Sequence, residues 1–391
     1  SLIISLFVLL LLADHEVLAD ESYNVLDFGA TGDGNTNDTL AFVNAWSAAC
    51  HNSTTRSTLI IPAGKTFLLS HVDFEGPCNN FISVALDGNL KRTNEIWQEG
   101  YFSWLLFIRI NGIIISGSGE LDGQGTNWWS CKETNQCPHD APNSLHMLSC
   151  IDAQIWGLRS INSTMMHISV SKSERVDIAG ITIIAPDESP NTDGIHVQGS
   201  RYVSIRNSII GTGDDCVSLS EGAEDISISN VTCGPGHGIS IGSLGKMGSR
   251  AIASNIHVSN CTLTQTTNGV RIKTWQGASG FARNISFVNI TMNDVRYPII
   301  IDQYYCPNRV CDAQESAVEV SDVKYIGVTG SSSREIAVAL NCSQSVPCSG
   351  IVMDSVNLWP ANVGEEVRSH CISADGFARN QVTPAVPCLT Q

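Results

Sequence analysis

Asp193, Asp214 and Asp215 are the residues in this chain best suited to proton chemistry. They fall within residues 191–273 together with Asn191-Thr192, Gly236-His237-Gly238 and Arg271-Ile272-Lys273. Carboxylates brought within a few ångströms repel one another, so at least one pKa rises and the group offers an acid and a base at the same pH. Glycosidic bond hydrolysis needs that division: carboxyls about 6.5–9.5 Å apart leave room for a water and give inversion, whereas about 5–5.5 Å gives retention. Stacking on adjacent strands would set groups about 5 Å apart, so spacing alone leaves the stereochemistry open. Arg271 and Lys273, two apart on a strand, point the same way. Arg can hold a carboxylate by two parallel hydrogen bonds and Lys can hold one as a point charge. Each motif also has a plainer explanation: Gly213-Asp214-Asp215 suits a turn or a calcium site, His237 a turn, and Arg271 with Lys273 a solvated strand face. Their coincidence in one stretch favours a common site.

Something must bring these positions together, and the sequence contains it. Short apolar-x-apolar segments recur at Val176, Val203, Ile226, Ile256 and Ile285, separated by 27, 23, 30 and 29 residues. A period of that size identifies a solenoid. Period-two alternation, β-branched residues and frequent Gly, Asn, Asp and Ser breaks indicate short strands joined by turns. No Leu ladder or helix per repeat is visible, so a single parallel β-helix is expected, all-β, with inward Val, Ile and Leu stacked into one core. Asp193 precedes Asp214 by 21 residues and Asp215 precedes His237 by 22, each close to one coil, so they should stack on neighbouring rungs. Asn207, Asn230, Asn260 and Asn289, which follow the strands, are expected to form a stacked ladder at a turn. The segment Thr39–Cys50 has apolar Leu40, Phe42, Val43, Trp46 and Ala49 near helical spacing and is predicted to cap the N-terminal end of the core, with Asp38 or Thr39 as N-cap. From about Glu365 the repeat fades, and a stapled tail is expected.

The chain has 391 residues, 42% hydrophobic and 15% charged, enough for a large core. Ser1–Ala19 carries an apolar run, Leu2–Leu12, too short to span a bilayer, followed by Val17-Leu18-Ala19; it reads as a signal peptide with an incomplete start. Residues 20–391 are expected to form one catalytic domain. Fourteen cysteines fit an oxidising compartment, and Cys131 with Cys137, Cys306 with Cys311, Cys342 with Cys348 and Cys371 with Cys388 are close enough to staple small loops. No CxxC pair accompanies them, so no metal is expected. Sequons at Asn37, Asn52, Asn162, Asn230, Asn260, Asn284, Asn289 and Asn341 fit secretion. A net charge of −16, from 38 acidic and 22 basic residues, disfavours nucleic acid and anionic membranes as partners.

Four motifs in order, Ser189-Pro190-Asn191-Thr192-Asp193, Gly213-Asp214-Asp215-Cys216, Cys233-Gly234-Pro235-Gly236-His237-Gly238 and Arg271-Ile272-Lys273, resemble the signature of the polygalacturonases, family 28 of the glycoside hydrolases, in its plant branch. The likeness runs from Tyr23-Asn24-Val25-Leu26-Asp27-Phe28-Gly29-Ala30 through Leu121-Asp122-Gly123-Gln124-Gly125 and Trp128-Trp129 to the C-terminal cysteines. The resemblance implies a right-handed pectin-lyase-like β-helix and a secreted cell-wall enzyme, monomeric and cofactor-free, acting on polygalacturonate or pectin with inversion. It implies Asp214 as general acid, Asp193 and Asp215 activating water, and His237 tuning the acid. Arg271 and Lys273 would then hold galacturonate carboxylates, with Tyr305 at the cleavage point and Asn191 beside it. It also implies a Cys216–Cys233 disulfide, with Cys150 and Cys261 as buried thiols. An acidic protein must gather local positive charge to hold an acidic polymer, and Arg271 and Lys273 supply it. Lys273-Thr274-Trp275-Gln276-Gly277 favours endo over exo attack.

Three rivals stand beside this reading. Gly238-Ile239-Ser240-Ile241-Gly242 matches the G-x-S-x-G esterase elbow, but that elbow needs a helix after the turn, and here a strand pattern leads into a Gly-rich loop. A pectate lyase would share solenoid and substrate but use calcium and an Arg base. A wall protein with a dead site would not need the full set of acid, base and cations.

Overall fold

Residues 20–307, 311 and 314–390 are described by a computed structural model; the predicted signal peptide lies outside them. Extended segments of β-branched residues, each too short to bury its own apolar face, solve that problem by stacking: the chain winds as a right-handed parallel β-helix in which every coil hydrogen-bonds the one before and the one after. One sheet has eleven strands, from Val72–Glu75 to Arg368–Ile372, and a second network of twenty strands wraps the remaining sides.

The inward columns are continuous. Tyr23, Leu59, Val84, Ile115, Ile155, Ile178, Ile205, Ile228, Val258, Phe287, Tyr325, Met353 and Ala378 are register partners in turn. The five repeats found in the sequence, Val176, Val203, Ile226, Ile256 and Ile285, pair one above another as their spacing required. Coiling begins well before residue 150, at Glu21, and it also runs past Glu365: Arg368–Ile372 and Ala374–Thr383 pair with Ile336–Asn341 and Cys348–Pro360. The expected tail is therefore a further coil, hidden in the sequence because its inward positions hold Gly376 and Ala378 where the preceding coil places Ile351 and Met353.

The coil corners rest on residues with left-handed backbone. Asn207, Asn230, Asn260 and Asn289 have φ of 53°, 53°, 53° and 54°, a conformation Asn tolerates better than other side-chain-bearing residues. Stacking lets their amides bond along the axis: Asn230 Nδ2 donates to Asn207 Oδ1 at 3.2 Å and Asn289 Nδ2 to Asn260 Oδ1 at 3.3 Å. A second ladder, not anticipated from sequence, joins Asn284 to Asn255 at 2.8 Å and Asn255 to Asp225 at 2.9 Å.

The N-terminal cap is the helix Thr39–Ser47, extended by a wider turn over Ala48–Asn52. Its buried face is Ala41, Phe42, Ala45 and Trp46, while Leu40 and Val43 are exposed, contrary to the expected stripe. Ala41 and Ala45 share a face with Phe42 and Trp46, and their small side chains let the helix lie close on the core. Asp38 stands at the N-cap position without capping; its carboxylate instead accepts from the backbone N–H of Thr31 at 2.7 Å and Gly32 at 3.1 Å, fixing the preceding loop. The disulfides Cys131–Cys137, Cys216–Cys233, Cys306–Cys311, Cys342–Cys348 and Cys371–Cys388 form as expected, Cys150 and Cys261 are buried thiols, and Cys50–Cys78 is an additional bridge tying the cap to the coils. A second short helix, Thr126–Glu133, was not anticipated and carries Trp128 into a buried position.

Because Ile228 is buried completely in the middle of its column, Ile228→Ala is expected to cost about 2–5 kcal/mol of unfolding free energy, measured by guanidinium titration.

Candidate active site

The eleven-stranded sheet sets the site. Ile195, Val217, Ile239, Val270 and Ile299 are consecutive register partners pointing inward, so Asp193, Asp215 and His237, each two residues before its strand's partner, occupy equivalent positions on three successive coils. Outward-facing positions one residue further along the strands stack as His196, Ser218, Ser240 and Arg271. Of these four, the sequence marks Arg271 for the site and Ser240 only as the serine of the G-x-S-x-G match. The repeat offset could have found the others, since each lies three residues after Asp193, Asp215 or His237.

This column serves the acids of the coil before it. Ser218 Oγ donates to Asp193 Oδ2 at 2.5 Å and lies 2.7 Å from His196 Nδ1. One coil on, Ser240 Oγ donates to Asp215 Oδ1 at 2.7 Å and accepts from Arg271 Nε at 3.0 Å. Arg271 Nη2 donates to Asp215 Oδ1 at 2.7 Å and Lys273 Nζ to Asp215 Oδ2 at 2.9 Å. In the free protein both cations thus hold an aspartate of the site itself. Arg271 still has Nη1 and Lys273 two N–H donors beyond those bonds.

Asp214 is held differently and is the most accessible of the three, its side chain 19% exposed against 10% for Asp193 and 3% for Asp215. His237 Nδ1 lies 3.0 Å from its Oδ1, and Asn191 Nδ2 donates to its Oδ2 at 3.3 Å. Asn191 adopts φ 56° to do so.

These surroundings separate the acids. Burial, reinforced by the charges of Asp214 and Asp215, pushes Asp193 well above the usual carboxylate range. Burial would raise Asp215 too, but Lys273, Arg271 and the Ser240 hydroxyl outweigh it and hold Asp215 down at about 2. Burial lowers His196 to about 4, so near neutral pH it is an uncharged neighbour.

All eight residues singled out from the sequence, Asn191, Asp193, Asp214, Asp215, His237, Arg271, Lys273 and Tyr305, line one groove of about 490 Å³. Tyr305 is in that lining and its neighbour Tyr304 is not; Lys273 Nζ sits 5.5 Å from the Tyr305 ring centroid, and Trp275 packs edge-on against the same ring. Ser240, the serine of the G-x-S-x-G match, is fully buried on the strand Ile239–Leu244 and bonded to Asp215, which is no nucleophile elbow. Ligand atoms of Asp214, Asp215 and His237 lie within 4.8 Å of one another, but a cation there would have to displace Arg271 and Lys273 from Asp215.

The family model described as glycosyl hydrolases family 28 matches residues 50–374. The chain belongs to family 28 of the glycosyl hydrolases. This member is 44% identical over 367 residues to "Polygalacturonase-2" of Solanum lycopersicum, covering 92% of this chain and 80% of the tomato protein. It is 40% identical over 365 residues to the "Exopolygalacturonase" of Zea mays, covering 92% and 88%. Among solved structures, its fold matches the endo-xylogalacturonan hydrolase from Aspergillus tubingensis with a TM-score of 0.79 at 23% identity, covering 93% of this chain and all of that one.

The buried, raised Asp193 gives a stability prediction. A carboxyl whose folded pKa is raised contributes stability that is complete below its unfolded pKa, about 3.9, and lost as pH rises through the folded value. Asp193→Asn, which keeps an acceptor for Ser218 without a charge, is therefore expected to raise Tm by roughly 2–4 °C at pH 7, an advantage that vanishes below about pH 4. Differential scanning calorimetry across that range checks it.

Proposed function

We propose that this protein is a secreted polygalacturonase that hydrolyses the α-1,4-galacturonosidic bonds of polygalacturonate and pectin by single-displacement inversion, attacking within the chain. The observation that carries the reading is the division among the three aspartates: Asp214 is accessible and paired with His237, while Asp193 and Asp215 lie deeper with opposite pKa shifts. The names of the tomato and maize relatives supply the substrate.

In this mechanism Asp214 gives its proton to the glycosidic oxygen as the bond to the anomeric carbon breaks. A water held by Asp193 and Asp215 attacks that carbon from the other face and loses a proton to one of them. Asp193, with the higher affinity for a proton, is the better acceptor; Asp215, fixed by Lys273 and Arg271, orients the water. His237 tunes Asp214 through their hydrogen bond. The unused donors of Arg271 and Lys273 reach the sugar carboxylate in the groove, Tyr305 meets the ring at the cleavage point and Asn191 orients Asp214 beside it.

Six disulfides support an extracellular, cell-wall location. Among the described residues no helix is long and apolar enough to cross a membrane. The protein acts as a monomer, with residues 20–391 as one catalytic unit. Endo attack is favoured because hollows continue along the coils from the catalytic groove as far as Tyr101.

Asp214→Asn is expected to lower kcat on polygalacturonate by about 10²- to 10⁴-fold, followed as new reducing ends; an unchanged rate overturns the assignment of the acid. Sizing the early products tests the mode of attack: oligomers with rapid viscosity loss mean endo, and monomer alone means exo. Unsaturated, ultraviolet-absorbing ends that vanish on chelation would identify a lyase instead.

A further inference from the structure

Charge is distributed unevenly along the groove. The part around the aspartates is lined by Lys246, Arg271 and Lys273. It shares Met166, His196 and Gln198 with a second hollow on the preceding coils, whose lining includes Tyr101, Phe102, Asp140, Ala141, His146 and Met165. No Lys or Arg is among the described residues lining that hollow; Lys132 lines the adjoining one with Trp128. Its one carboxylate, Asp140, is exposed and would repel another.

The apolar groups there are fixed in place. Tyr101 stacks on His71 with centroids 4.1 Å apart and meets Trp97 edge-on. Phe102, 53% exposed, leans edge-to-face on His146. His146 is itself tied by Ser103 at 2.8 Å and Ser171 at 3.0 Å, and burial lowers it to about 4, so it offers no positive charge near neutral pH.

We infer that this upstream hollow binds methyl-esterified galacturonosyl units of the same chain whose free-acid units occupy the cation-lined part. A free carboxylate there would lose water with no Lys or Arg to replace it and would face Asp140. A methyl ester carries no charge and places a CH₃ against Phe102, Met165 and Met166. The enzyme then reads a pattern along its polymer: free acid at the cut, ester upstream of it. This inference rests on the polygalacturonase reading.

The test is to digest partially methyl-esterified polygalacturonate and sequence the products by tandem mass spectrometry, with Phe102→Lys in parallel. Esters are expected to be enriched on one side of the new ends, at units removed from the cut, with free acids flanking the cut. Phe102→Lys, at an exposed position, should shift the ratio of kcat/KM for de-esterified over esterified polymer upward by roughly two- to fivefold. Esters equally frequent on both sides, or a substitution that changes both substrates alike, would overturn the inference while leaving hydrolysis intact. Absence of new reducing ends from either polymer would refute the functional reading beneath it.

Discussion

The fixed register between coils is the constraint on which everything else here depends. Parallel backbone pairing at about 4.8 Å per coil turns a linear period into a spatial column, so that His196, Ser218, Ser240 and Arg271 align although up to 75 residues part them. The scaffold therefore needs no loop closure to assemble the acids, and their supporting hydroxyls come from the next coil. Each aspartate is braced by the residue that the repeat delivers above it.

The same regularity divides the acids electrostatically. Asp193 and Asp215 hold equivalent places on adjacent coils and are both buried, yet one faces neutral His196 through Ser218 and the other faces Arg271 and Lys273. Burial acts on both in one direction, and the cations decide the difference. A protein of net charge −16 thus concentrates positive charge at one point of its groove, where it serves an internal carboxylate before it serves a polymer.

Much of this was legible in the sequence because period and alternation are local properties. The apolar repeats gave the solenoid and the pairing of Val176 with Val203 and onward, and the offset of Asp193, Asp214, Asp215 and His237 gave one site. What escaped notice has physical reasons. Leu40 outranks Ala41 in hydropathy, but packing distance selects the smaller residue for the buried face. The last coil lacked a signal because Gly376 and Ala378 fill its core positions. Ser218 and Ser240 look like ordinary strand residues, and only their place above an aspartate gives them a role. Two shifts of opposite sign on Asp193 and Asp215 depend on three-dimensional burial and could not be read from the residue types.

The coils touch only their neighbours, so a β-solenoid loses structure from its ends before its middle. Here the first coils are covered by the helix Thr39–Ser47 and the Cys50–Cys78 bridge, and the last is closed by Cys371–Cys388. The catalytic coils lie between them. Fraying at either end must consume several coils before it reaches an aspartate, so limited proteolysis near the termini would trim the molecule while sparing the groove.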